Sequence, residues 1–246
     1  MLKLLKYEWM SRWKFFLGGI VIAIALNIDL IRSILNEQTP SKFAIFASIG
    51  IFVMGVGLFF DHIARMYKSL FGEERYLLFT TTCSGYHILG SKIIGITLEA
   101  FGIFVFAMLM MIIDQKIAVY KYPQLMENFQ SFYTEGIKEI FTLFMILLVG
   151  YITFILIIYL SVTLSKSVFS VFKYGKILSF VCFLVISRIV GKVVGYFDKF
   201  VDMHALSYGM TSFNFEGSMS YFVFNLCMIG ILFMITGYLL DRKLNL

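Results

Sequence analysis

Ile93–Ala118 reads IIGITLEAFGIFVFAMLMMIIDQKIA, a run of 26 residues with neither proline nor a cluster of turn formers. About 20 mostly apolar residues suffice to cross the hydrocarbon layer of a bilayer as a helix. The run does not alternate as a barrel strand would, and backbone groups inside a bilayer find no water, so it must bond to itself as a helix. Moving outward, Phe43–Ala64 and Phe15–Leu35 precede it, and Ile137–Leu164, Ile177–Phe197 and Tyr221–Leu240 follow. Charge or Pro40 separates each from the next. The chain is 60% hydrophobic, 15% charged and has a mean hydropathy of +0.87, which a water-soluble globule of 246 residues could not bury. The expected fold is an all-α integral membrane protein with six transmembrane helices, forming a single transmembrane domain over residues 1–246.

Six crossings place both termini on one side. Of the 21 Lys and Arg, 13 fall on that side, among them Lys3, Lys6, Arg12, Lys14, Arg65, Lys68, Arg75 and Lys92. Basic residues near short loops are retained in the cytoplasm, so both termini of this multi-pass protein are expected there. The net charge of +6 then reflects topology and attraction to anionic membrane lipid, and no nucleic acid is expected as a partner.

Leu2, Leu5, Trp9, Trp13 and Phe16 recur at three- and four-residue steps while Lys3, Lys6 and Lys14 fall elsewhere, the pattern of an amphipathic interfacial helix over residues 1–14. The long charged start, the lack of a small-residue cleavage site and the unbroken first run predict an anchor rather than a cleaved signal. Cys83, Cys182 and Cys227 have no paired spacing, so neither a disulfide framework nor a zinc site is expected.

Two places break the apolar pattern. Residues 65–92, RMYKSLFGEERYLLFTTTCSGYHILGSK, are polar and glycine-punctuated between the second and third runs. After Gly72, the residues Glu73, Glu74, Arg75, Tyr76, Leu77 and Leu78 suit a short helix, and Thr80, Thr81, Thr82, Ser84 and Gly85 suit a turn. Farther on, Arg188, Gly191, Lys192 and Gly195 are expected to interrupt the fifth run. Irregular or charged backbone at that depth survives where protein or water covers it, while snorkelling from a short fifth span is the simpler alternative. Among the carboxylates, Glu99 lies roughly two turns inside the third run and is costly there, with Asp61 and Asp29 nearer the ends of theirs. Glu99, Arg188 and Lys192 are therefore candidates for gating or conformational roles.

The loop text carries a resemblance. Arg65, Tyr67, Leu70, Gly72, Glu73, Glu74, Tyr76, Leu77, Leu78, Thr80, Ser84 and Lys92 resemble the cytoplasmic loop of ABC-2 type transporter permeases, above all their Firmicute branch. Arg75 stands where glycine is common in that family, and Thr82 where proline is common. The resemblance implies that Phe71, Gly72, Glu73, Glu74, Arg75 and Tyr76 form a coupling helix that docks on a separate ATPase subunit. It implies that ATP and Mg are bound by that partner, with no cofactor in this chain, and that a second permease subunit, identical or paralogous, completes the transporter. It also implies a re-entrant element before the sixth span, within residues 188–219.

The sequence contains no HExxH, no GxSxG and no GxxxxGK[ST], and its His62, His87 and His204 are scattered. The chain is not expected to be an enzyme by itself; translocation would need the ATP-hydrolysing partner. By resemblance to small permeases that expel toxin or antimicrobial peptides, export of amphipathic peptides by alternating access is expected. Lipophilic drugs or lipids are the alternative cargo, and a non-transporting immunity or scaffold protein is the alternative class. An ion-driven carrier would favour inverted repeats, and no clear repeat relates the two halves.

Overall fold

The computed structural model describes residues 13–36, 42–71, 84–123, 136–168, 175–205 and 215–242, apart from the side chains of 15, 42–48, 51, 69–71, 168, 175–176, 198–205, 215–219 and 242. Among the described residues there are six helices and no strand: α1 Trp13–Asn36, α2 Lys42–Phe71, α3 Gly85–Lys121, α4 Ile137–Val168, α5 Gly175–Ala205 and α6 Phe215–Arg242. Five contain segments long and apolar enough to cross a membrane, namely Phe16–Asn36, Gly85–Lys121, Ile137–Ser167, Ile177–Phe197 and Ser220–Asp241. The expected second span, Phe43–Ala64, lies on α2, where many side chains fall outside the described residues. Residues 1–12, the body of the expected interfacial helix, also lie outside them. Large apolar side chains face outward, as with Phe52, Leu147 and Met234, which suits lipid as the surrounding solvent.

The helices outrun the apolar runs that predict them. The polar insert expected over 65–92 is helical at both ends: α2 continues through Phe71 and α3 begins at Gly85. Hydropathy marks the part of a helix that meets lipid, whereas backbone hydrogen bonding continues into polar residues beyond it. The fifth span also departs from expectation. Arg188, Gly191, Lys192 and Gly195 do not interrupt it, because α5 is helical without a break from Gly175 to Ala205. A glycine costs a helix only about 1 kcal/mol relative to alanine, less than the several kcal/mol of leaving a backbone group unbonded in hydrocarbon. Residues 206–214, the remainder of the expected re-entrant stretch before α6, lie outside the described residues.

The fold divides into two compact units, one of residues 1–61 and 94–145, the other of residues 62–93 and 146–246. In the first, α1 and α3 are tied by polar bonds. Asn27 Nδ2 donates to both carboxylate oxygens of Asp114 at 2.8 Å. Lys121 Nζ donates to the carbonyl of Ile34 at 3.0 Å and to that of Leu35. The Asn27–Asp114 and Ile34–Lys121 pairs are both 87 residues apart in sequence, so one register holds over two helical turns and the two helices run parallel. Aromatic packing fixes α3 against α4 in the opposite sense: Phe104 stacks on Phe144 at 3.9 Å and lies 6.1 Å from Phe141, and Phe101 meets Phe144 edge-on at 5.8 Å.

In the second unit, α4 supplies the core: Ile155, Leu156 and Tyr159 are at most 1% exposed. Its hydroxyl side chains are buried too, and three return their proton to the preceding turn, Thr153 to the Val149 carbonyl, Ser161 to Ile157 and Thr163 to Tyr159. That bond satisfies the hydroxyl without another helix, and the small side chain lets a neighbour approach closely. Thr236 does the same on α6, donating to the Leu232 carbonyl. Phe154 meets Phe183 of α5 edge-on at 5.8 Å, and Phe197 of α5 stacks on Phe224 of α6 at 4.1 Å.

Candidate functional site

The segment expected to meet a partner is framed by the end of α2 and the start of α3. Phe71 is the last residue of α2; its side chain and Gly72, Glu73, Glu74, Arg75 and Tyr76 lie outside the described residues. What the structure shows is how the two framing helix ends are held.

On α2, His62 is 5% exposed and Met66 1% exposed, so one face of this end is buried, while Ala64 and Lys68 are exposed. Arg65 donates through Nη2 to His62 Nδ1 at 3.1 Å. A guanidinium has protons only to give, so Nδ1 is the acceptor and the imidazole proton belongs on Nε2. Tyr159 of α4 donates its hydroxyl to the His62 carbonyl at 3.2 Å, and the Tyr151 ring stands edge-on to the imidazole at 6.3 Å. The spacing of His62, Arg65 and Met66 at three and four residues places them on one face of α2. One turn past the expected span, partial burial of Tyr67 pushes its phenol above the ordinary tyrosine range.

On α3, Ser84 caps the first turn. Its carbonyl accepts from His87 N–H at 2.9 Å, and its hydroxyl shares a hydrogen bond with His87 Nδ1 at 2.7 Å. The Gly85 N–H, which has no partner in its own helix, donates to Asp241 Oδ1 of α6 at 3.0 Å. A carboxylate at a helix N-terminus also meets the positive end of the helix dipole.

The other candidates are dispersed. Glu99 is buried on α3 at 8% exposure, within the first unit, and is not without an interaction partner. Arg188 and Lys192 sit exposed on α5 in the second unit, four residues apart and hence on one face. Asp114 received no role from the sequence, yet its carboxylate binds another helix, α1, through Asn27. The signal was present, since Asn27 and Asp114 are polar residues inside two apolar runs, but nothing in a single sequence pairs them. Among the described residues no three His, Cys, Asp or Glu side chains are grouped to hold a metal ion. Cys182 and Cys227 are free thiols.

No protein-family model, curated protein or solved structure matches the chain.

Proposed function

We propose that this chain is the membrane-spanning permease subunit of an ATP-driven ABC exporter that moves amphipathic or toxin-like peptides out of a bacterial cell. The observation that carries the reading is the text of residues 65–92, which resembles the ABC-2 coupling loop and takes in the end of α2, the connection after it and the start of α3. In this reading Phe71–Tyr76 docks on the ATPase subunit, which binds ATP and Mg, and two permease subunits enclose the route. Closure of the ATPases displaces the loop and tilts the helices that border it. Only a difference in affinity between the two states can drive such a cycle.

Six crossings, with both termini cytoplasmic, belong to the same proposal. Support comes from the parallel pairing of α1 and α3, because two parallel spans joined through one helix require that helix to cross back. With 30 residues at about 1.5 Å each, α2 has the length to do so. A re-entrant element is kept only for residues 206–214, ahead of α6.

The test is charge reversal, Glu73→Lys with Glu74→Lys, in the full chain. Membrane insertion should persist while association with the ATPase subunit and peptide export are lost. Export at the wild-type rate with both charges reversed would remove the coupling assignment and favour a scaffold.

A further inference from the structure

Where α3 begins, it is locked to the end of α6 by three different kinds of contact. The Gly85 N–H is bonded to Asp241 Oδ1 at 3.0 Å. A Cβ at Gly85 would fall 2.6 Å from Leu240 Cβ and 2.8 Å from the Asp241 backbone nitrogen, so only glycine permits this approach of main chain to main chain. A Cβ at Gly237 would fall 2.3 Å from the Tyr86 ring, which also lies 6.2 Å from the Phe233 ring. Phe233, Gly237 and Asp241 are spaced by four and form one stripe of α6. Behind the contact Leu89 is fully buried and Thr236 likewise.

The three contacts resist different motions. Sliding α6 by one turn, about 5.4 Å, would bring Phe233 or Asp241 onto Tyr86 and take the carboxylate away from Gly85. Rotating it would drive a side chain into the space that Gly237 leaves open. Pulling the helices apart would strand the Gly85 N–H.

We infer that the first turn of α3 and the last turns of α6 form one joint, so that a displacement of the segment preceding Gly85 is carried into α6 as well as into the two helices that border the segment. Its use in transport rests on the exporter reading; the joint itself does not. Under that reading α6 is an output of the coupling loop, although it is remote from the loop in sequence.

The experiment is amide hydrogen exchange on the full chain in lipid nanodiscs, comparing wild type with Gly85→Ala, Asp241→Ala, the double variant and Met234→Ala. Met234 is 69% exposed and serves as the control on the same helix. Each joint variant should speed exchange about fivefold or more, the scale of a lost helix cap, both in residues 86–92 of α3 and in residues 233–240 of α6. The double variant should exceed the single variants by little, because one joint is being opened. Asp241→Asn keeps an oxygen acceptor and should fold with a smaller rise, which preserves the test if the alanine variants fail to fold. Faster exchange confined to α3, or effects that simply add, would overturn the inference. If α6 responds as expected while Glu73→Lys with Glu74→Lys leaves export intact, the joint stands and the exporter reading falls.

Discussion

Replacing Asn27 by leucine removes the donor that holds both oxygens of Asp114 at 2.8 Å. Hydrogen bonds to charged groups are worth about 1.5–3 kcal/mol in soluble proteins. Bonds between membrane helices average about 0.6 kcal/mol and reach about 1.7, because a chain unfolded within the membrane also finds partners. Two such bonds, on an Asn27 only 8% exposed, place the expected loss at about 1–3 kcal/mol, or roughly 5- to 150-fold in the unfolding equilibrium. Asp114→Asn should cost less, since two facing amides retain one good bond. Asn27→Leu with Asp114→Leu should be milder than Asn27→Leu alone, because no buried polar group is left without its partner. The assay is reversible unfolding in mixed micelles as the fraction of denaturing detergent rises, with wild type, Asn27→Leu, Asp114→Leu and the double leucine variant arranged as a double-mutant cycle. A double variant at least as unstable as Asn27→Leu, or a cycle with no coupling energy, would refute both the pair and the parallel register of α1 and α3 built on it.

Three further outcomes are expected. Lys121→Met removes the donor that reaches the last carbonyls of α1 and should lower stability by about 0.5–1.5 kcal/mol in the same micelle titration; no change would mean that the carbonyls are satisfied otherwise. Tyr159→Phe removes only the hydroxyl bonded to the His62 carbonyl and should cost about 1 kcal/mol without altering helix content by circular dichroism. Burial raises the Tyr67 phenol, so its contribution is present below the ordinary tyrosine pKa and is lost as pH climbs through the higher folded value. Stability should therefore fall above about pH 10, by less in Tyr67→Phe than in the parent, as read from melting temperature against pH; equal falls in the two proteins would contradict it.

The helical class and five of the spans were legible because a bilayer imposes one simple demand, some 20 apolar residues per crossing, and IIGITLEAFGIFVFAMLMMIIDQKIA meets it in plain text. Helix ends were less legible, since the polar turns at 65–71 and 85–92 are helical for reasons of backbone bonding that hydropathy does not register. Reading Gly191 and Gly195 as breaks gave too much weight to a modest propensity and too little to the cost of an unbonded amide in lipid. Glu99 drew notice as a charge deep in a run and is buried, as a costly group should be. Asp114 escaped notice near the end of the same run, and so did Asn27, because their meaning lies in a pairing across 87 residues. Gly85, Gly237 and Asp241 are ordinary letters until α3 and α6 are placed side by side.

The central claim is that the segment around Glu73 and Glu74 is gripped by an ATPase, and the most direct measurement is a photo-crosslinker installed at Glu74 in cells that express the chain natively. The expected result is one dominant adduct, a protein that carries GxxxxGK[ST] and binds ATP, lost when Glu73 is reversed to lysine. Crosslinks to lipid alone, or to a protein that binds no nucleotide, would contradict the account.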